Sequence, residues 1–270
     1  MVSNDQRRRQ LAREKFLRQQ QRRESARRRS RTRNTVIASA LAVVVVAGVG
    51  AFAAGAFDGK DKKDSAAAEP SASPSKAADP CKKPAAGKVK SLSWKKEPAL
   101  TVDKAADYTM NLATTCGDIG IDLKTKEAPH TVNSFDFLAG KGFFDHTKCH
   151  RLTTNGIYVL QCGDPKGTGA GGPGYTIPDE NLKDKSLKGN VYPAGTIAMA
   201  NTGQKHTGGS QFFLVYQDSQ LPPSYTPFGT ISDSGMKVLK KIAAAGESTG
   251  QGDGAPNATV VIDKATVTKS

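Results

Sequence analysis

The chain has 270 residues, of which 37% are hydrophobic and 24% charged, and this composition excludes a wholly disordered protein. The net charge of +14 is concentrated outside the C-terminal part, because residues 1–33 carry 13 basic and 3 acidic groups and residues 58–98 carry 10 and 6. Residues 99–270 carry 16 of each sign. A neutral domain lacks the basic face that nucleic-acid binding needs, so we expect no nucleic-acid partner for it.

An uncharged segment, residues 34–57, follows the basic arm of residues 1–33. As a helix, its 23 residues from Thr35 to Phe57 would span about 34 Å, enough for a hydrocarbon core of about 30 Å. The pattern predicts a transmembrane signal anchor with a cytoplasmic arm and an extracytoplasmic C-terminal domain, since basic residues stay in the cytoplasm. A cleaved signal peptide, cut near Ala51–Ala53, is the alternative, but the arm and the apolar run are both long for one.

Residues 58–98 are rich in Ala, Ser, Pro, Lys and Asp, with almost no large apolar side chain before Trp94. This composition predicts a flexible linker with a mean reach of about 35 Å. The folded domain is therefore predicted to occupy residues 99–270.

Within this domain, short alternating segments predominate. Tyr108–Thr114 and residues 119–123 alternate around the turn residues 115–118, which predicts a hairpin. Helices are predicted over Pro129–Ala139 and Met236–Ala245, each followed by glycine. Further strands are predicted at residues 157–161, 195–200, 211–216, 228–231 and 259–267. Many short strands with two helices indicate a mostly β, closed barrel capped at its ends.

Arg151 is the only arginine after residue 33, whereas residues 99–270 contain 15 lysines. Its guanidinium is a rigid, planar fork of donors, which a lysine cannot replace. Taken alone, it fits a structural ion pair or a functional group. It lies in the segment Cys-His-Arg-Leu, and Gln161-Cys-Gly-Asp, Met199-Ala-Asn and Gly208-Gly-Ser-Gln-Phe-Phe-Leu follow it.

In their order and spacing, these segments resemble the cyclophilin family of peptidyl-prolyl cis/trans isomerases, over roughly residues 100–270. The layout of arm, anchor and outward domain is similar to that of membrane-anchored bacterial members. The resemblance implies an eight-stranded antiparallel barrel capped by two α-helices. It also implies a groove for proline-containing polypeptides, a monomeric domain, no cofactor and no metal, and a role in folding exported or surface proteins.

The resemblance implies that Arg151 is the catalytic group. Rotation about a peptide C–N bond crosses a barrier of about 18–20 kcal/mol, and the twisted amide leaves a lone pair on the prolyl nitrogen. A guanidinium N–H aimed at that nitrogen would stabilise the twisted state more than the planar one. The substrate-binding positions that the resemblance implies are Tyr158, Val159, Gln161, Ala200, Asn201, Gln211, Phe213, Leu221 and Tyr225.

Four departures from the family pattern affect the groove. The chain between Arg151 and Gln161 is two residues longer than usual. Tyr158 and Val159 stand where Phe and Met are common, Gln220 stands where tryptophan is frequent, and Tyr225 replaces a histidine. We expect retained but modest isomerase activity and weak cyclosporin binding. The alternative function is a non-catalytic, membrane-tethered receptor or scaffold for proline peptides.

All four cysteines follow the predicted anchor, on the side where disulfides can form, and they allow three connectivities. If the barrel resemblance holds, Cys149 and Cys162 lie on neighbouring strands, and Cys81 can reach Cys116 at a hairpin tip. The hypothesis is therefore Cys149–Cys162 and Cys81–Cys116, with four free thiols as the alternative.

Three further patterns suggest other chemistry, each weakly. Gly167-x-Gly-x-x-Gly matches a dinucleotide fingerprint, but a proline follows where a helix should begin. His146, Cys149 and His150 have metal-ligand spacing but lie at a predicted strand entry. Ser210 lacks the following glycine of a nucleophile elbow. None of these patterns outweighs the isomerase hypothesis.

Overall fold

The computed structural model describes residues 78–269. The predicted arm, the predicted anchor and residues 58–77 of the predicted linker lie outside this range. Among residues 78–269, no helix has both the length and the apolar character needed to cross a bilayer.

The described residues form twelve strands and two helices. The helices are α1 (Pro129–Gly140) and α2 (Asp233–Ala244). The strands are β1 (Tyr108–Thr114), β2 (Gly117–Leu123), β3 (Thr147–Lys148), β4 (Arg151–Thr153), β5 (Val159–Cys162), β6 (Val191–Tyr192), β7 (Thr196–Met199), β8 (Phe212–Val215), β9 (Ser219–Gln220), β10 (Pro227–Ile231), β11 (Asp253–Gly254) and β12 (Val261–Lys269).

Ten of these strands form one curled antiparallel sheet in the order β11-β4-β5-β8-β7-β10-β2-β1-β12-β3, and β6 pairs with β9. Only Cys149 and His150 separate β3 from β4, although these strands lie towards opposite ends of the order. The Cys149 N–H donates to the Val260 carbonyl at 3.0 Å, and the His150 N–H donates to the Gln161 carbonyl at 3.1 Å. Both flanks of the sheet therefore meet at this segment.

The mostly β fold with two helices is confirmed, but the predicted eight-stranded closed barrel is wrong. The sheet has ten strands and is a curled half-barrel, because β11 and β3 at the two ends of the order do not pair with each other. Three of the ten strands are very short: β3 and β11 have two residues each and β4 has three. Alternation cannot be recognised over two or three residues. Their pairing depends on partners distant in the chain, as β11 with β4 shows.

The core lies between α1 and the sheet. Val132, Phe135, Leu138 and Ala139 on one face of α1 are buried, as the helical spacing predicts. The Phe135 ring lies 4.6 to 5.6 Å from three other phenylalanine rings, those of Phe144, Phe212 and Phe228. Glu180 accepts the N–H groups of His130 and Thr131 in the first turn, where a carboxylate also complements the helix dipole. This helix anchors the sheet that carries the candidate site.

Residues 78–98, hereafter the strap, lie against the domain, so the predicted flexible linker does not extend over them. Cys81 is disulfide-bonded to Cys116. The Trp94 N–H donates to the Pro173 carbonyl at 2.8 Å, and its ring lies 5.0 Å from that of Phe137. The strap has the composition of a linker. Its attachment to the domain could not be recognised from the sequence, because the attachment depends on a few residues whose partners are remote in the chain.

The second disulfide, Cys149–Cys162, ties the segment before β4 to β5. Replacing both buried cysteines with alanine should lower the free energy of unfolding by about 3 kcal/mol, since the bond closes a short loop in the unfolded chain. Urea denaturation of the full chain measures this change. A midpoint equal to that of the oxidised wild type would contradict the prediction.

Candidate active site

Arg151 lies at the start of β4, and residues from two neighbouring strands hold its guanidinium. Its Nε donates to Oδ1 of Asp253 and its Nη2 donates to Oδ2, both at 2.7 Å. Its Nη1 donates to Oε1 of Gln161 at 3.2 Å. Asp253 belongs to β11 and Gln161 to β5, which flank β4 on either side. A planar donor group is thus fixed from both sides.

The guanidinium retains donors that no described residue uses. Arginine carries five N–H groups, of which Asp253 and Gln161 accept three. One N–H on Nη1 and one on Nη2 can therefore reach a substrate, and 38% of the side chain is exposed. The hydrogen bonds that Arg151 donates to Asp253 raise the pKa of Arg151, and the same bonds lower the pKa of Asp253. Both groups stay ionised at neutral pH.

A row of side-chain amides continues from Arg151. Gln161 Nε2 donates to Gln211 Oε1 at 2.9 Å, and Gln211 Nε2 donates to the Gly171 carbonyl at 2.9 Å. We call Arg151, Gln161 and Gln211 the polar row. Because each amide is oriented by the next, the Gln161 oxygen is directed at Arg151 and cannot exchange with its nitrogen without breaking the row.

Asp164 shapes the loop at the far end of the polar row. It is fully buried and accepts the N–H groups of Lys166, Thr168 and Gly169 at 2.7 to 2.8 Å. Burial raises the pKa of Asp164, but the backbone donors outweigh burial and hold the pKa below its usual value. The carboxylate therefore fixes the loop that presents the Gly171 carbonyl to Gln211.

An apolar cluster lies beside the polar row. Phe213, Val159 and Tyr192 are buried in one cluster, against which Ala200, Leu221 and Tyr225 pack. The rings of Phe213 and Tyr225 are 5.4 Å apart. The Tyr192 hydroxyl donates to the Tyr225 carbonyl at 2.7 Å, and burial raises the pKa of Tyr192 to about 12. Phe213 on β8 pairs with Gln161 on β5, and Gln161 pairs with Arg151 on β4. The apolar cluster therefore lies close to Arg151.

The geometry of this site accords with the comparisons to known proteins. The model of the family described as cyclophilin type peptidyl-prolyl cis-trans isomerase/CLD matches residues 109–267. The chain belongs to the cyclophilin family. It is 50% identical over 196 residues to a probable peptidyl-prolyl cis-trans isomerase B of Mycobacterium leprae, and 47% identical over 198 residues to that of Mycobacterium tuberculosis. These matches cover 70% of this chain and 62% and 60% of the two relatives, less than two thirds of their length.

Solved cyclophilin structures show the same fold. A crystal structure of a Cryptosporidium parvum cyclophilin covers 61% of this chain and 99% of its own, with a TM-score of 0.51 and 26% identity. A second structure of that protein, in the presence of the dipeptide Ala-Pro, has a TM-score of 0.50 and 27% identity.

This cyclophilin brings together most, but not all, of the sequence-predicted groove residues. Arg151, Gln161 and Gln211 form the polar row, and the apolar cluster contains Val159, Phe213, Leu221, Tyr225 and Ala200. The Tyr158 ring instead contacts Tyr216, 5.9 Å away. Asn201 lines a cavity together with Gln161 and Gln211, and its amide donates to the Ser224 carbonyl at 2.8 Å.

Two residues that the sequence patterns did not single out support the cyclophilin site. Asp253 lies in the two-residue strand β11, 102 residues after Arg151, so no local signal links the two. Tyr192 lies in the two-residue strand β6, which carries no recognisable alternation. The Gln-Cys-Gly-Asp segment did indicate Asp164, but only the structure shows its bonds to the loop.

The weaker patterns have structural roles. Cys149 is bonded to Cys162, and residues 78–269 contain no group of three or more His, Cys, Asp or Glu placed to hold a metal ion. The glycines of residues 167–172 belong to the loop around Asp164. The Ser210 hydroxyl is buried and donates to the Gly163 carbonyl at 2.7 Å.

His150, next to Arg151, makes the stability of this cyclophilin domain depend on pH. Both ring nitrogens are buried without a hydrogen-bond partner among residues 78–269. Burial lowers the pKa of His150, Asp164 opposes this shift and Arg151 adds to it. The unfolded chain therefore binds a proton near pH 6.5 that the folded chain binds only at lower pH.

The free energy of unfolding should accordingly fall as the pH decreases below about 6.5. In His150→Gln, this part of the pH dependence should disappear. Urea denaturation of both proteins at about pH 7.5 and about pH 5.5 measures the difference. Equal losses of stability on acidification in the two proteins would contradict it.

Proposed function

We propose that this protein is a peptidyl-prolyl cis/trans isomerase that accelerates rotation about Xaa-Pro bonds in exported or surface proteins. The observation that carries the proposal is a guanidinium held on two sides, with two free N–H groups, beside an apolar cluster. The names of its relatives support the same activity. Because the chain spans about 60% of their length, the activity of the whole protein is itself part of the proposal.

The mechanism follows from the roles of the two surfaces. The pocket of Phe213, Leu221 and Tyr225 accepts the proline ring and excludes water from it. The free N–H groups of Arg151 stabilise the lone pair that appears on the prolyl nitrogen when the bond is twisted and resonance is lost. Gln161 and Asn201 bind the flanking backbone, so that one side of the bond is held while the other rotates. The reaction needs no nucleophile.

We also propose that residues 34–57 anchor the protein in the membrane with the domain outside. The charge asymmetry around the apolar segment supports this orientation. Two disulfides among the described residues fit an oxidising compartment. A periplasm-active reporter enzyme fused after Ser270 should be active, and a cytoplasm-active one should be inactive. The reverse pattern would overturn the orientation.

The activity is tested by the cis-to-trans rate of a short Xaa-Pro peptide with the full chain. We expect acceleration above the uncatalysed exchange, which takes tens to hundreds of seconds. Binding of the peptide by a folded protein without acceleration would overturn the isomerase function and leave a proline-peptide receptor. Circular dichroism of the same sample establishes that the protein is folded.

Cyclosporin should bind this protein weakly. Gln220 is exposed on β9, at the position where many family members have tryptophan, and it offers no indole ring to the inhibitor. Gln220→Trp should therefore tighten binding about tenfold, which corresponds to about 1.4 kcal/mol. Isothermal titration of both proteins measures the change. Tight binding by the wild type, unchanged in the variant, would contradict the prediction.

A further inference from the structure

A cavity of about 920 Å³ adjoins the polar row. Gln161, Gln211, Ala200 and Asn201 line it, so it is continuous with the groove. Residues 93 and 95–97 of the strap also line it. Its volume is within the range of ligand pockets. A polypeptide with its proline against the apolar cluster would have neighbouring residues beside this cavity, because Ala200 packs against the cluster and also lines the cavity.

The strap is built into the cavity wall. The Trp94 N–H donates to the Pro173 carbonyl at 2.8 Å, and the Trp94 ring packs on Phe137 and Phe143. Gly174 has a φ of +89°, and a Cβ there would collide with Ser93 and Trp94. The backbone on each side is therefore shaped for the other, and the strap has a defined position beside the groove.

The charged side chains of the cavity are mostly basic. Lys95, Lys96 and Lys166 line it, and none of them makes an ion pair or side-chain hydrogen bond with any of residues 78–269. Glu97 is the one carboxylate among its lining residues, and its Oε1 lies 2.7 Å from Nδ1 of His130. Asp164 lies behind the wall with its oxygens bonded to backbone N–H groups. The cavity thus has an excess of positive charge.

We propose that this cavity binds an acidic side chain of the substrate, close to its Xaa-Pro bond, through Lys95, Lys96 and Lys166. The strap is then a specificity element that the protein adds to the groove. This inference rests on the proposed isomerase function, because the groove must bind a proline for the cavity to bind the side chain of a neighbouring residue.

The test uses the full chain and six-residue peptides with one proline. Glu, Gln or Lys is placed in turn at each position within two residues of the Xaa-Pro pair. At one position, kcat/KM for the Glu peptide should exceed that for the Gln peptide about 3- to 10-fold, and Lys should be the poorest. The preference should weaken at high salt, because exposed charges are screened.

Two double variants separate the cavity from net charge. Lys95→Gln with Lys96→Gln should remove the preference for Glu and leave the rate with the Gln peptide unchanged. Lys240→Gln with Lys241→Gln removes the same charge from α2, outside the cavity, and should keep the preference. Loss of the preference in both double variants would overturn the assignment to the strap.

The failure of this inference can be distinguished from the failure of the proposed function. Equal acceleration of the Glu, Gln and Lys peptides at every position would overturn the inference and leave the isomerase intact. If no peptide is accelerated, the proposed function fails, and equilibrium binding of the same peptides decides the inference. Isothermal titration calorimetry of the full chain measures these affinities. Equal affinities for the three peptides would then overturn it.

Discussion

Arg151→Ala is expected to lower kcat for an Xaa-Pro peptide about 10³-fold, a loss of about 4 kcal/mol of transition-state stabilisation. The planar amide offers its nitrogen lone pair to the carbonyl, whereas the twisted amide offers it to a donor. Removing the guanidinium therefore affects the twisted state far more than the bound ground state. KM should change little, since the apolar pocket and the amides remain.

Arg151→Lys should recover only part of this loss. An ammonium can contact Asp253, but it cannot bond both carboxylate oxygens and Gln161 and still offer two N–H groups in one plane. We expect kcat about 10²-fold below the wild type. Peptide isomerisation assays on all three proteins measure the series.

Lys148→Ala is the matched control, because this exposed cation lies on β3, three residues before Arg151. It should retain the wild-type rate. A rate for Arg151→Ala close to that of the wild type would show that the guanidinium does not act on the twisted amide. Urea denaturation of each variant excludes unfolding as the cause of a lost rate.

Phe135→Ala is expected to lower the free energy of unfolding by about 4 kcal/mol. Phe135 is fully buried on α1, and its ring contacts those of Phe144, Phe212 and Phe228. Truncation removes the ring and leaves a cavity that three other large rings cannot fill without leaving their own positions. Thermal and urea denaturation of the full chain measure the loss.

Phe137→Ala serves as the control on the same helix. Phe137 is only partly buried and packs against Trp94 of the strap. Its truncation should cost about 1 to 2 kcal/mol, because less apolar area leaves water on folding. Equal losses in the two variants would contradict a core centred on Phe135.

The longer elements of the fold could be predicted from the sequence. β1 alternates between buried and partly buried residues, and the face of α1 repeats at helical spacing. These patterns are local, because a strand or helix with one buried face must repeat its apolar residues with the period of its backbone. The residues of the groove were predicted differently, because they are implied by the resemblance of several short motifs, in their order and spacing, to the cyclophilin family.

Local sequence patterns could not predict the attachment of the strap, the number of strands, or the hydrogen bonds that Asp253 and Gln161 accept from Arg151. Residues 78–98 have the composition of a linker, yet Cys81 and Trp94 attach them to the domain. The strands β3 and β11 are too short to show alternation.

By itself, the sequence determined the mostly β class, the two helices, the amino acids of the groove and the basic, apolar and linker-like character of residues 1–77. The tertiary structure alone decided which carboxylate holds Arg151, how the polar row is ordered, and that the strap lines a basic cavity. Periodicity and the order of motifs can be seen along the chain without knowing which distant residues come together. A hydrogen bond between Arg151 and Asp253 forms only after the sheet has brought two strands together across 102 residues.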